Sequence, residues 1–75
     1  MIYVYGTETC GGCKSAKMFL KMKHIPFEIK NITNEENLKY LKDRGFESIP
    51  QIYRNDVHLG GYNDLKKMKP EEIIG

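Results

Sequence analysis

The sequence predicts one α/β domain over residues 1–75, a four-stranded mixed sheet with helices in the order βαβαββα. Three observations carry this expectation. "MIYVY", β-branched and aromatic, leads through Gly6 into a stretch whose apolar residues recur at helical spacing. A second strand follows the break at Pro26, and the right-handed crossover rule makes the two strands parallel neighbours. Further on, "QIYR" and "VHL" flank Asn55-Asp56, two residues that tolerate positive φ, as an antiparallel hairpin requires. At 75 residues the chain buries only about 60% of its unfolded surface, so its core is thin.

"MIYVY" shows little alternation and suits a central strand covered on both faces, ended by Gly6. From Gly11 to His24 the period is helical. Cys13, Ala16, Met18, Phe19, Leu20 and Met22 sweep an apolar arc, with Lys14, Lys17 and Lys21 on a polar one. Lys23 and His24 suit the negative helix end, and Ile25 must leave the helical region before Pro26. "FEIKNI" sets Phe27, Ile29 and Asn31 against Glu28 and Lys30, an exposed strand at a sheet edge. Thr33-Asn34-Glu35-Glu36 has the form of a capping box with Thr33 as N-cap. Leu38 and Leu41 give the helix that follows its apolar stripe, and Gly45 stops it in a left-handed cap. Pro50 stands at the entrance of a strand, where a missing N–H does least harm. After Gly60-Gly61, Asn63 or Asp64 caps a last helix running through Leu65 and Met68, which Pro70 ends or restarts.

Composition narrows the function. A chain that is 40% hydrophobic and 29% charged is of ordinary globular type. Its net charge of +2 is too small to argue for nucleic acid, and no basic run is interleaved with aromatics. No apolar run approaches the ~18 residues of a membrane span, and the first residues lack the features of a secretory signal. Two cysteines are too few for a secreted disulfide scaffold. The expectation is a cytoplasmic monomer with neither a nucleic-acid nor a membrane partner.

In "CGGC", Cys10 and Cys13 lie where a central strand turns into a helix. With Cys10 as N-cap, its sulfur can accept an N–H of the first turn, and the positive helix end favours a thiolate by roughly 0.3–1 kcal/mol or more. That assigns Cys10 the role of nucleophile. Cys13, nearly one turn further, points beneath it as the resolving thiol that attacks a mixed disulfide and releases the product. Gly11 and Gly12 place no side chain over the sulfur. A metal claw would need two more ligands, and His24 and His58 offer themselves at intervals that match no common zinc pattern, so no metal is expected. Both histidines read as structural, and Met18, Met22 and Met68 as core filler.

With "SIPQIY" and "HLGGYNDL" following the C-x-x-C in that order, the chain resembles a glutaredoxin almost end to end. The resemblance implies a thioredoxin-like three-layer α/β/α sandwich and a thiol-disulfide oxidoreductase that reduces protein disulfides or glutathione mixed disulfides. Glutathione would be its reductant, and ribonucleotide reductase one candidate partner. It also implies that Pro50 is cis and faces the cysteines, and that Ile49 offers its backbone to the cysteinyl part of glutathione. Gly61, Tyr62, Asn63 and Asp64 would form the γ-glutamyl site. Two departures stand out: Thr7 occupies the place of a lysine frequent in the family, with Glu8 beside it, and glycines replace the usual proline-tyrosine. Lys14 and Lys17 are the cations available to compensate. Two alternatives follow: a redoxin reduced by thioredoxin reductase, and a dimeric carrier of a [2Fe–2S] cluster with glutathione as additional ligand.

Overall fold

A computed structural model describes residues 1–75. The elements are β1 (Ile2–Gly6), α1 (Gly11–Met22), β2 (Phe27–Asn31), α2 (Glu35–Asp43), β3 (Gln51–Arg54), β4 (Val57–Gly60), α3 (Tyr62–Leu65) and α4 (Pro70–Ile74). The sheet order is β2-β1-β3-β4. β1 pairs parallel with β2 and antiparallel with β3, and β3 pairs antiparallel with β4. The first strand is thus central and the second lies at an edge, as the sequence predicts. No helix is long and apolar enough to cross a membrane.

Alternation along the central strands divides the core in two. Ile2, Val4 and Ile52 pack with Ala16 and Leu20 of α1, Leu65 of α3 and Ile73 of α4. Tyr5 and Tyr53 point the other way, onto Leu41 of α2. The result is the expected α/β/α sandwich. On the α2 side the Tyr5 and Tyr40 rings stack at 4.9 Å, with Tyr53 edge-on to both at 5.5 and 5.2 Å. The Tyr53 hydroxyl is buried there without a hydrogen-bond partner.

Local details depart from the sequence reading, each for an identifiable reason. α1 stops at Met22, and His24 lies beyond it with φ 57°. Its N–H bonds the Lys21 carbonyl and that of Ile25 the Leu20 carbonyl, a Schellman cap that seats Ile25 on Leu20. The core-facing stripe of α1 is narrower than predicted, so Met18 and Met22 are not core filler but are 63% and 73% exposed. Met68 does pack on the core. Ile29 of the edge strand is also exposed.

The N-cap of α2 is Asn34 and not Thr33, its Oδ1 accepting from the N–H groups of Glu36 and Asn37. Thr33 is engaged elsewhere, its N–H and hydroxyl both donating to Asn31 Oδ1 at 2.9 Å. The last predicted helix is two. Gly61, rather than Asn63 or Asp64, is the N-cap of α3, and the Asp64 carboxylate reaches back to its N–H at 3.3 Å. Pro70 opens α4 at a position where no N–H is needed.

Candidate active site

The β1–α1 turn sets the two cysteines. Cys10 is the N-cap of α1 in an extended conformation, and its Sγ accepts the Cys13 N–H at 3.2 Å. One of the helix's orphan donors therefore points at sulfur, where the helix dipole is positive. Cys10 is half-buried, whereas Cys13 is 2% exposed, and both are free thiols. Burial, and then the hydrogen bond with Cys10, push the Cys13 thiol up to about 11. One sulfur is accessible and the other is a protected, protonated neighbour at neutral pH.

Gly6, which reads in the sequence only as the end of a strand, proves part of this site. A Cβ there would fall on Cys13 Sγ, so the sulfur occupies space that glycine leaves open. The two glycines between the cysteines also differ in role. Nothing approaches a Cβ on Gly11 within 4 Å, but one on Gly12 would meet Pro50 Cδ at 3.0 Å. Gly11 keeps the sulfur accessible, and Gly12 lets Pro50 close onto the helix start.

The Ile49–Pro50 bond is cis, and the Cys10 thiol donates to the Ile49 carbonyl at a long 3.9 Å. Pro50 lines a cleft of about 580 Å³ whose walls include neither cysteine. Ile49, Pro50, Gly61, Tyr62, Asn63 and Asp64 all line it, together with Gly12 and His58. The two segments touch, for a Cβ on Gly61 would lie 3.4 Å from the Pro50 carbonyl. No lysine or arginine lines the cleft; Asp64 is its one carboxylate and His58 its one imidazole. Lys14 and Lys17 lie outside it. A second, more apolar hollow of about 350 Å³ runs between α2 and the Gly45–Ile49 segment; it too lacks the cysteines, and neither Gly12 nor Pro50 lines it. His24 and His58 do not gather with the cysteines into a ligand group.

Known proteins resemble this chain in sequence and in fold. The family model for glutaredoxin matches residues 2–59. Glutaredoxin 1 of Rickettsia prowazekii (strain Madrid E) is 35% identical over 74 residues, which cover 93% of this chain and 78% of that protein. The crystal structure of the glutaredoxin from Archaeoglobus fulgidus superposes with a TM-score of 0.71 at 32% identity, over 97% of this chain and 84% of that one. A buckwheat glutaredoxin crystallised as a glutathione complex superposes at 0.77 over 97% of this chain and 71% of that one; at 15% identity it speaks for the fold. A C-x-x-C at the mouth of the first helix, a thioredoxin-like sandwich and sequence relatives over nearly the whole length agree: the chain belongs to the glutaredoxin family of thiol-disulfide redox proteins.

Proposed function

We propose that this protein is a cytoplasmic, monomeric, glutathione-dependent oxidoreductase that reduces protein disulfides or glutathione mixed disulfides through Cys10 and Cys13. The observation that carries the reading is the Cys10 sulfur at the N-cap of α1, bonded by the Cys13 N–H, with the buried Cys13 thiol next to it. Cys10, as thiolate, attacks one sulfur of the substrate disulfide. A Cys10–substrate disulfide forms and the other substrate sulfur leaves as a thiolate that takes up a proton. Cys13 then loses its proton and attacks Cys10 Sγ, expelling the second substrate thiol and leaving a Cys10–Cys13 disulfide. Two glutathione thiols restore the dithiol and depart as glutathione disulfide. In a glutathione mixed disulfide, Cys10 takes the glutathionyl sulfur and a second glutathione releases it.

Ile49 would hold the cysteinyl part by its backbone, and Asp64, with the α3 start at Gly61, Tyr62 and Asn63, the γ-glutamyl amine and carboxylate. One observation favours a second reading. Glutathione carries two carboxylates, yet the cleft has no lysine or arginine and Thr7 stands where the family often has lysine. Such a cleft also suits a redoxin reduced by thioredoxin reductase. The deciding experiment assays wild type, Cys10→Ser and Cys13→Ser with glutathione and glutathione reductase, in parallel with thioredoxin reductase. The expected result is turnover with glutathione, lost in Cys10→Ser, with deglutathionylation retained in Cys13→Ser. Turnover with thioredoxin reductase alone selects the second reading, and activity in Cys10→Ser would refute both.

A further inference from the structure

We propose that His58 is a positioning residue: its ring clips both ends of the segment Glu47–Pro50 and so holds the Ile49 backbone ready for a disulfide partner. The inference deepens the function proposed above and rests on its reading of Ile49 as the partner's backbone contact.

The segment needs a clip. None of Glu47, Ser48, Ile49 or Pro50 takes part in a main-chain hydrogen bond, so neither helix nor sheet fixes it. Ile49 packs against the Tyr5–Leu41–Tyr53 cluster and meets the Cys10 sulfur only at a long 3.9 Å, so the short hydrogen bonds to the segment come from one side chain. Gln51, the first residue of β3 and only 7% exposed, turns its amide back across Pro50 and donates from Nε2 to the Ser48 carbonyl at 3.1 Å and Ser48 Oγ at 3.2 Å. The Ser48 carbonyl, which can only accept, settles which end of the amide is nitrogen, so Gln51 Oε1 faces His58 Nε2, 2.7 Å away. His58 must then carry its proton on Nε2 and donate it. A buried carbonyl oxygen thereby receives the partner it requires.

The same imidazole reaches the far end of the segment. Its ring lies 4.3 Å from that of Phe46, the residue just before Glu47, and 5.0 Å from Tyr53. Phe46 is itself anchored, its N–H bonding the Leu41 carbonyl at the end of α2. Although one side of the His58 ring stays exposed, loss of water on the side against these groups lowers its pKa, with Asp64 opposing, so the neutral donor form persists at pH 7. His58 thus ties β4 to Phe46 by ring packing and to Gln51 by a hydrogen bond. Between those ties hang Ile49, whose carbonyl the Cys10 thiol meets, and Pro50. A loosened segment would blur the backbone edge a substrate must pair with, while leaving Cys10 at its N-cap untouched. The loss would therefore appear in substrate binding and not in sulfur reactivity.

The test compares wild type with His58→Phe, which keeps ring packing but removes the donor, with His58→Gln, which offers an N–H again, and with Gln51→Met alone and combined with His58→Phe. Three quantities are read: kcat and KM on a glutathionylated model peptide, the rate of Cys10 alkylation by iodoacetamide, and backbone ¹⁵N order parameters at Ser48 and Ile49. In His58→Phe, KM should rise about five- to tenfold, the worth of one hydrogen bond, with kcat and alkylation within about twofold of wild type. The two order parameters should fall from about 0.85 toward 0.6. His58→Gln should recover part of the KM, and the double variant should be no worse than the worse single one. An unchanged KM in a folded His58→Phe protein, or additive effects in the double variant, overturns the proposal. ¹⁵N imidazole spectra of wild type test the clip independently even if His58→Phe does not fold: a proton on Nε2 at pH 7 is expected, and one on Nδ1 refutes it. Should wild type turn over no disulfide with either reductant, the proposed function fails, while the tautomer and order parameters still decide the clip.

Discussion

Replacing Gly6 by alanine tests whether the buried thiol sits where the structure puts it. An ideal Cβ at Gly6 lands on Cys13 Sγ and 3.2 Å from Cys13 Cβ. Neither side can yield cheaply. Cys13 is enclosed between α1 and the sheet, and Gly6 is held in register opposite Asn31 of β2. Overpacking of this kind costs about 1–3 kcal/mol, here at the upper end because the obstacle is a short side chain without a flexible tip. For a domain of 60–100 residues each kcal/mol moves Tm by about 4–8 °C, so Gly6→Ala should melt roughly 10–20 °C below wild type. Adding Cys13→Ala removes the sulfur and leaves a Cβ–Cβ contact that a few tenths of an ångström relieve, so the double variant should melt above Gly6→Ala. Thermal unfolding by circular dichroism under reducing conditions reads both. A Gly6→Ala protein melting within about 2 °C of wild type, or a double variant no better than the single, would show that the sulfur lies elsewhere.

The remaining expectations are these. Gly11→Ala, with nothing within 4 Å of the new Cβ, should be neutral or stabilising by up to about 1 kcal/mol, whereas Gly12→Ala presses on Pro50 Cδ at 3.0 Å and should raise the KM for disulfides; equal effects would contradict the division of roles. With the Cys13 thiol pushed up from 9.0 to about 11, its thiolate at pH 8 is about a hundredfold scarcer than that of an unshifted thiol, so brief iodoacetamide treatment followed by mass spectrometry should find Cys10 labelled alone. Tyr53→Phe removes a buried hydroxyl that has no partner and should raise stability by about 1 kcal/mol in urea unfolding; a loss would reveal an overlooked bond. Burial raises the Tyr5 hydroxyl to about 12, and those of Tyr40 and Tyr53 upward, so the fold prefers their neutral form. That contribution is complete below the unfolded value of 10.0 and is lost as pH climbs toward 12, so the urea midpoint should fall across that window; a flat midpoint would deny the burial.

What the sequence could reveal followed from short-range rules. Strand–helix–strand with a hairpin after it, the N-cap position of Cys10 and the left-handed Gly45 all depend on residues a few positions apart, and all are present. Where two local options compete, sequence alone does not choose. Thr33 and Asn34 are both good N-caps, and the decision falls to Asn31, whose side chain occupies Thr33 first. Met18 and Met22 lie within the helical apolar arc, but a small helix on a small sheet buries only the narrow stripe of Cys13, Ala16 and Leu20, with Phe19 packed at its margin. Gly6 and Gln51 escaped notice as site residues because their parts are defined by atoms distant in sequence, the Cys13 sulfur and the His58 ring.

The site divides into two parts of unequal character. The sulfur chemistry is complete within one turn and one strand: an N-cap acceptor, a protected second thiol, and a glycine that makes room for it. The neighbouring cleft is lined by neutral hydrogen-bonding groups, its single fixed charge being that of Asp64, which accepts from the Gly61 N–H. If glutathione binds there as proposed, its carboxylates must be held by backbone groups, the one ion pair on offer being that of Asp64 with the γ-glutamyl amine. Backbone hydrogen bonds are screened far less by salt than exposed charge pairs. Raising ionic strength from about 0.05 to 0.5 M should therefore change the KM for a glutathionylated peptide by less than about threefold; a steep rise would mean that lysines outside the cleft, Lys14 or Lys17, carry the recognition instead.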